Sequence, residues 1–180
     1  MPYELFETVK MPKSRVAVLI GSRGKTKRKL EELSSVKIGV DSETGDVEVE
    51  GKGNAENFYS AVNAVKAIGR GFSPENAMLL IGGDCLLEVI KVSDVIGGGQ
   101  ADQKAKKGRV IGRQGTARET IERETGSKIS VMGKTISIIA GPESMETTRR
   151  AVEMLLRGAN HSTIFKFLEK EKAQGRKFSI

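Results

Sequence analysis

Two stretches of the chain, VLIGSRGKTKRKLEELSSVKI at residues 18–38 and RVIGRQGTARETIERETGSKI at residues 109–129, align when the sequence is shifted by 91 residues. Six of the 21 aligned positions are identical, and each stretch contains a Gly-x-x-Gly tetrad, at residues 21–24 and 112–115. A chain with this many glycines should contain about two such tetrads by chance, so one alone carries little weight. Their coincidence within a longer alignment predicts a duplicated domain.

The hydrophobic pattern around each tetrad repeats in the same order. In the first copy the pattern predicts a strand at 3–9, a helix after the tetrad to about Leu33, a hairpin of strands at 36–40 and 46–50, and a helix at 55–68. In the second copy it predicts a strand at 86–92, a helix at 115–124, a hairpin over 127–140 and a helix at 145–156. Each copy therefore has strands and helices of one small α+β unit.

Three segments lie outside this pattern. Ser73 followed by Pro74 predicts the capped start of a short connecting helix, and apolar residues at helical spacing predict a last helix over 162–173. Residues 93–108 have no counterpart in the first copy, and we expect a mobile basic loop there. These features predict two domains, residues 1–82 and 83–180, with the connecting helix in the first.

The net charge of +7 and the sequence pI of about 9.5 favour an anionic partner. Seven basic residues and no acid lie between Lys13 and Lys29, around the first tetrad. No apolar run approaches the roughly 20 residues of a membrane helix, and the first residues lack a signal-peptide core, so we expect a cytoplasmic protein without membrane association. The single cysteine, Cys85, excludes an internal disulfide and is expected to pack in the core.

The triplet Gly24-Lys25-Thr26 suggests a nucleotide-binding P-loop, but that motif requires a glycine at position 19, which is Leu19. In the second copy the triplet becomes Gly115-Thr116-Ala117. His161 is the only histidine, and it is interpreted as a helix-start or packing residue. Because no acidic cluster suggests a metal-dependent hydrolase, we expect no enzymatic activity and no cofactor.

Both tetrads suit a phosphate backbone. Glycines let the chain turn tightly, and the helix that follows directs free N–H groups and a positive dipole at the same point. Bases would lie in an apolar groove lined by Ile20, Leu30 and Ile38, or by Ile111, Ile121 and Ile129. The predicted RNA-binding residues are Lys107, Arg109, Ile111, Gly112, Arg113, Gln114, Gly115, Arg118 and Ile129, with Gly21, Ser22, Arg23, Gly24, Lys25, Lys27 and Arg28. A Gly112→Asp change should weaken RNA binding and leave the fold intact.

The repeated unit, with Leu19-Ile20-Gly21-Ser22-Arg23-Gly24 and Val110-Ile111-Gly112-Arg113-Gln114-Gly115 as its motifs, resembles the type I KH domain. The resemblance implies two tandem β-α-α-β-β-α domains, each a three-stranded antiparallel sheet packed on helices. It also implies binding of about four nucleotides of single-stranded RNA. The second copy matches better, because residues 124–129 (ETGSKI) reproduce the usual turn into the second strand, and it is therefore the expected principal site.

Three further segments resemble the archaeal form of the partner-of-Nob-one family: GRGFSPENA at 69–77, LEVI at 87–90 and LLRGANHSTIFKFL at 155–168. The resemblance implies a ribosome-assembly factor that binds the 3′ end of small-subunit 16S pre-rRNA and helps its processing. The implied partners are the pre-small-subunit ribosome, the Nob-one endonuclease and the alpha subunit of initiation factor two. Two alternatives stay open: a protein-interaction adaptor, and an RNA-binding accessory of transcription or of the exosome.

Overall fold

The computed structural model describes residues 4–177, which form two compact units that divide between Leu87 and Glu88. Tyr3, which the pattern placed in the first strand, lies outside the described residues. The first unit contains β1 (Glu4–Lys10), α1 (Lys13–Ile20), a 3-10 turn (Ser22–Gly24), α2 (Lys25–Ser34), β2 (Val36–Val40), β3 (Asp46–Lys52), α3 (Ala55–Gly69) and α4 (Pro74–Met78). The second contains β4 (Leu86–Lys91, whose first two residues precede that division), α5 (Val92–Ile96), α6 (Gln100–Ile111), a 3-10 turn (Arg113–Gly115), α7 (Thr116–Thr125), β5 (Lys128–Met132), β6 (Thr135–Ala140), α8 (Pro142–Leu156) and α9 (His161–Lys177).

Each unit has a three-stranded antiparallel sheet with the last strand in the middle, in the orders β1-β3-β2 and β4-β6-β5. In the first sheet Val9 lies opposite Val47, and Val47 lies opposite Val40. The hairpin of β5 and β6 turns at Met132, which pairs with Thr135. The predicted fold of two tandem β-α-α-β-β-α units is therefore confirmed, including both hairpins.

The helices cover one face of the first sheet. In β3, Val47 and Val49 are buried whereas the alternating residues Glu48 and Glu50 are exposed, as the period of a half-buried strand requires. The apolar stripe predicted for α3 is buried, and Phe58 packs against Gly51 of β3. A Cβ at Gly51 would lie 2.7 Å from Cδ2 of Phe58, so only glycine leaves room for that ring. These contacts hold the closing helix against the sheet.

The core of the second unit is built from the same layers. Ile136 and Ile138 of β6 are fully buried, as are Val152 and Leu155 from the stripe predicted for α8. Ile164 of α9 joins the same cluster, so the last helix belongs to this core. The prediction that its apolar residues serve packing is confirmed.

Residues 93–96 and 100–108 are helical, so the prediction of a loop over 93–108 is wrong. Helix α5 ends at Ile96, three glycines follow at 97–99, and α6 begins at Gln100 and runs into the second tetrad. The segment QADQKAKK consists of residues with high helix propensity, apart from Asp102. The glycines therefore separate two helices rather than mark a long loop.

Two smaller predictions had different outcomes. Cys85 is half-buried just before β4, so the expectation of a core position is wrong. Ser73 caps α4 as predicted, because its hydroxyl accepts a hydrogen bond of 3.3 Å from the N–H of Asn76.

Within residues 4–177, no helix combines the length and the apolar character that crossing a membrane requires.

Candidate nucleic-acid interface

The two tetrads have the same backbone conformation. Gly21 and Gly112 have φ of 70° and 77° with extended ψ, a combination open to glycine. The third residues, Arg23 and Gln114, are left-handed, with φ/ψ of 52°/31° and 53°/26°. Since left-handed non-glycine residues are uncommon, their recurrence at equivalent positions identifies one loop design used twice.

The first glycine of each tetrad is required by close packing. A Cβ at Gly112 would lie 2.7 Å from the backbone nitrogen of Ala117, and one at Gly21 would lie 2.9 Å from that of Thr26. The expectation that Gly112→Asp leaves the fold intact is therefore wrong, because this side chain would displace the start of α7. The fourth glycine is different, since the Cβ position at Gly24 has no neighbour within 4 Å.

Each loop lies at the start of a helix, where the positive end of the helix dipole favours an anion. Helices α2 and α7 begin directly after the tetrads, and their N-cap residues are glycines without a capping side chain. Their first N–H groups, on Lys25 and Thr116, donate to the carbonyls of Ser22 and Arg113 within the loops, so each helix contributes the positive end of its dipole to anion binding. The four inner tetrad residues, Ser22, Arg23, Arg113 and Gln114, are all exposed. The arrangement can hold a phosphate at the positive end of each helix, with an exposed arginine of the tetrad beside it.

Lys27 and Arg118 occupy equivalent positions but differ in their contacts. The Nζ of Lys27 donates to Oε1 of Glu31 and to the carbonyl oxygen of Ile38, both at 2.8 Å. Lys27 thus connects α2 to β2, and its assignment as a phosphate contact is corrected. Arg118 has no hydrogen bond or ion pair to any described residue, and its buried Nε lacks an acceptor. Its Nη2 lies 3.9 Å from the Cβ position of Gly115, so this guanidinium is available beside the tetrad.

Three other predicted RNA-binding side chains are directed to backbone carbonyls of the protein. Nη2 of Arg109 donates to the carbonyl oxygens of Gly158 and Ala159 at 3.0 and 2.8 Å. The Nζ of Lys107 bonds the carbonyl of Gly133. Nη2 of Arg28 donates to the carbonyl of Arg23 at 2.7 Å and thereby braces the first loop. We therefore reassign Arg109 to a structural role, whereas Lys25 is exposed and has no partner among the described residues.

Only two of the six side chains predicted to line the apolar grooves are accessible to solvent. Ile20 and Ile111, next to the tetrads, are half-buried and accessible. The other four predicted lining residues, Leu30, Ile38, Ile121 and Ile129, are at most 4% exposed. They lie on the inner faces of their helices and strands, so their assignment as groove-lining side chains, including that of Ile129 as an RNA contact, is corrected.

The charge around the two loops differs. Residues 21–30 carry Arg23, Lys25, Lys27, Arg28 and Lys29 without an acid, whereas residues 112–121 carry Arg113, Arg118 and Glu119.

Farther along α7, hydrogen bonds from Lys172 and then Arg123 lower the pKa of the Glu124 carboxyl. No group of three or more potential metal ligands occurs among the described residues.

Glu31 and Glu122 are residues whose role was missed. Each carboxylate accepts a backbone hydrogen bond from the strand that follows its helix. The sequence contained a signal for them, because both lie at identical positions of the repeat. Their contribution is to hold the strand that follows the helix.

Comparisons with known proteins agree with this geometry. The second unit matches the model of the eukaryotic-type KH domain (type I), built for the second KH domain of PNO1, over residues 86–173. The first unit matches the KH-domain model over residues 6–67. A KH domain-containing protein of Methanocaldococcus jannaschii is 41% identical over 169 residues, which cover 92% of this chain and 74% of that protein. The chain belongs to the partner-of-Nob-one (PNO1/Dim2) family of tandem-KH proteins.

Two solved structures and one further sequence relative resemble this chain. The crystal structure of Dim2p from Pyrococcus horikoshii is 40% identical with a TM-score of 0.86, covering 92% of this chain and 99% of that one. A chain in the crystal structure of an a/eIF2alpha-aDim2p-rRNA complex from the same organism is 39% identical, with a TM-score of 0.88 and 96% coverage of both chains. The RNA-binding protein pno-1 of Caenorhabditis elegans is 31% identical over 121 residues, which span 66% of this chain and 44% of that protein.

Proposed function

We propose that this PNO1/Dim2 family member is a non-catalytic, single-stranded RNA-binding factor of ribosome assembly. Its RNA is the 3′ region of small-subunit (16S) pre-rRNA, whose processing it assists. The observation that carries the proposal is the recurrence of one left-handed tetrad conformation with exposed inner residues at the start of two helices. The rRNA present in the complex of the Pyrococcus relative supports the choice of RNA.

Each tetrad would hold the sugar-phosphate backbone, with the bases directed toward Ile20 or Ile111. In the second domain Arg113 and Arg118 supply positive charge, and Arg118 has no competing partner within the described residues. We therefore keep the second domain as the principal site. The first tetrad has more cations around it, which suits a supporting contact with phosphates that does not depend on base sequence.

The proposed partners follow from the family. We propose the pre-small-subunit ribosome and the Nob-one endonuclease as partners, and the alpha subunit of initiation factor two, which accompanies the Pyrococcus relative in its solved complex. The proposed location is the cytoplasm. RNA binding by protein atoms alone requires neither a cofactor nor a catalytic group, so the proposal includes no reaction at the tetrads.

The proposal is tested by crosslinking the protein to RNA in cells and sequencing the attached fragments. We expect fragments from the 3′ end of 16S pre-rRNA, and we expect them to be depleted when Arg113 and Gln114 are both changed to aspartate. Enrichment of unrelated RNA would contradict the assignment to rRNA. If crosslinks persist unchanged in the double variant, the tetrad is not the site. A protein-interaction adaptor would instead retain its partners in the variant and lack RNA crosslinks.

A further inference from the structure

Helix α9 follows the last helix of the β-α-α-β-β-α unit and packs against it. Ile164 and Leu168 of α9 are buried in the core of the second unit, at 0% and 2% exposure. Lys172, farther along the helix, makes a 2.9 Å ion pair with Glu124 near the end of α7. This ion pair connects α9 to the helix that follows the second tetrad.

The start of α9 is joined to the helix that precedes the same tetrad. His161, the first residue of α9, places Nε2 at 2.9 Å from the carbonyl oxygen of Arg109. Since a carbonyl oxygen only accepts, the imidazole donates from Nε2. In return, the Arg109 guanidinium donates to the carbonyls of Gly158 and Ala159, between α8 and α9. The two side chains thus form reciprocal bonds between the same two segments, which we name the Arg109–His161 latch.

The latch lies close to the phosphate-binding loop along the chain. Arg109 precedes Gly112 by three residues in the last turn of α6, and the N–H of Gly112 donates to Gly108 at 2.9 Å. The N–H of Gly115 then donates to the carbonyl of Gly112 at 3.2 Å. The carbonyl of Arg109 belongs to the end of α6, where an intrahelical donor is missing. His161 supplies that donor and so fixes the helix end from which the tetrad starts.

The arginine half of this arrangement recurs in the first unit. Arg15 of α1 donates from Nε to the carbonyl of Ile68 at 2.8 Å and from Nη2 to that of Phe72 at 2.5 Å. In both units, therefore, an arginine of the helix before the tetrad bonds the chain at the end of the closing helix. The second unit adds α9 and its histidine.

We propose that Arg109 and His161 are positioning residues that set the second tetrad in its phosphate-binding conformation, with α9 as a brace for the helices on both sides of the loop. This inference rests on the proposed RNA-binding function. It assigns to the last helix a role in RNA affinity, without contact between either side chain and RNA. A bond lost at the latch should loosen the tetrad and weaken RNA binding without changing the number of phosphate contacts.

The test uses the full chain with His161→Ala, His161→Gln and, as control, Ser162→Ala, an exposed neighbour without a side-chain bond. Hydrogen exchange at the amides of Gly112 and Gly115 reports on the loop without any ligand. Titration with a short mixed-sequence single-stranded RNA at several salt concentrations reports on affinity. In His161→Ala we expect faster exchange at both amides and a loss of affinity of about fivefold, the effect of one hydrogen bond.

The salt slope of log affinity should stay at the wild-type value, because no phosphate contact is removed. Glutamine can place an N–H near the position of Nε2, so His161→Gln should recover most of the affinity and the slow exchange. Wild-type exchange and affinity in His161→Ala would contradict the positioning role of His161. A salt slope reduced by about one would also contradict it, because it would show that His161 contacts a phosphate directly. If the wild-type protein binds no RNA, the proposed function fails, whereas the exchange measurement still decides whether His161 orders the loop.

Discussion

Glu122 and Ile129 are joined by a hydrogen bond of 2.7 Å, from the backbone N–H of Ile129 to Oε1 of Glu122. Glu31 accepts the same bond from Ile38 at 2.8 Å in the first unit. Each bond connects the helix after a tetrad to the strand that follows it. The glutamates are identical in the two copies because both units need this acceptor.

Replacing Glu122 by alanine should destabilise the second unit. The N–H of Ile129 lies in a part-buried setting and would lose its partner, at a cost of about 1–3 kcal/mol in the free energy of unfolding. Glu122→Gln retains an acceptor oxygen and should cost less. Urea unfolding of the three proteins measures both values, and equal stability of wild type and Glu122→Ala would contradict this role.

The two glycines of the second tetrad should respond differently to alanine. At Gly112 a Cβ would lie 2.6 Å from the Cβ of Ala117, whereas at Gly115 the nearest atom is Oε1 of Glu119 at 3.4 Å. Both have positive φ, so each substitution carries a backbone strain of about 1–2 kcal/mol. Gly112→Ala should lower the thermal midpoint further than Gly115→Ala. The opposite order would show that the packing of α7 on the tetrad does not limit Gly112.

Arg118 and Lys27 provide a matched pair for the electrostatic argument. Arg118→Gln removes an unpaired cation beside the tetrad, so it should weaken RNA binding and reduce the salt slope by about one. Lys27→Gln removes a cation already bonded to Glu31 and Ile38, so the salt slope should remain at the wild-type value. The measurement is an RNA titration over a series of salt concentrations. Equal slopes for the two variants would contradict the distinction.

The ion pair between Lys172 and Glu124 should make the free energy of unfolding depend on pH in the acid range. Hydrogen bonds from Lys172 and Arg123 lower the pKa of Glu124 below its usual 4.5, so the carboxylate form is favoured in the folded state. Its contribution to stability is present above pH 4.5 and is lost as the pH falls through the lowered pKa. Glu124→Gln should therefore make the free energy of unfolding less dependent on pH in the acid range. Unfolding curves at a series of pH values measure this, and an unchanged dependence would contradict it.

Much of the fold could be predicted from sequence because the duplication tests each pattern twice. The stripe of α3 and the alternation in β3 follow from periodicity alone, since one face of each element is buried. Helix α6 was missed because it has no full counterpart in the first copy and its residues are mostly polar. Its helix propensity was a sufficient signal. However, three consecutive glycines, as at 97–99, and a basic composition are also typical of loops.

The site was less predictable than the fold, because sequence spacing does not say where a long side chain points. Arg109 and Arg118 are both basic residues near the same tetrad, yet the first bonds the chain after α8 and the second has no described partner. The apolar residue Ile129 was assigned to a groove although its strand directs it into the core. Tertiary contacts decide both cases, and they join residues far apart in the chain.

The central claim is that the tetrads bind the RNA backbone. It is tested most directly by RNA titrations of two double variants, Ser22→Asp with Arg23→Asp and Arg113→Asp with Gln114→Asp. All four side chains are exposed, and aspartate is tolerated in the left-handed conformation, so the folds should persist. A double variant of equal charge change on α9, Thr163→Asp with Lys166→Asp, controls for net charge because both side chains are exposed.

We expect the second-tetrad variant to lose about tenfold or more in affinity for single-stranded RNA, since two carboxylates would face the phosphates. The first-tetrad variant should lose less and should show a reduced salt slope, whereas the α9 control should stay near the wild type. Unfolding midpoints of all four proteins should agree. Wild-type RNA affinity in both tetrad variants, with their folds intact, would contradict the account.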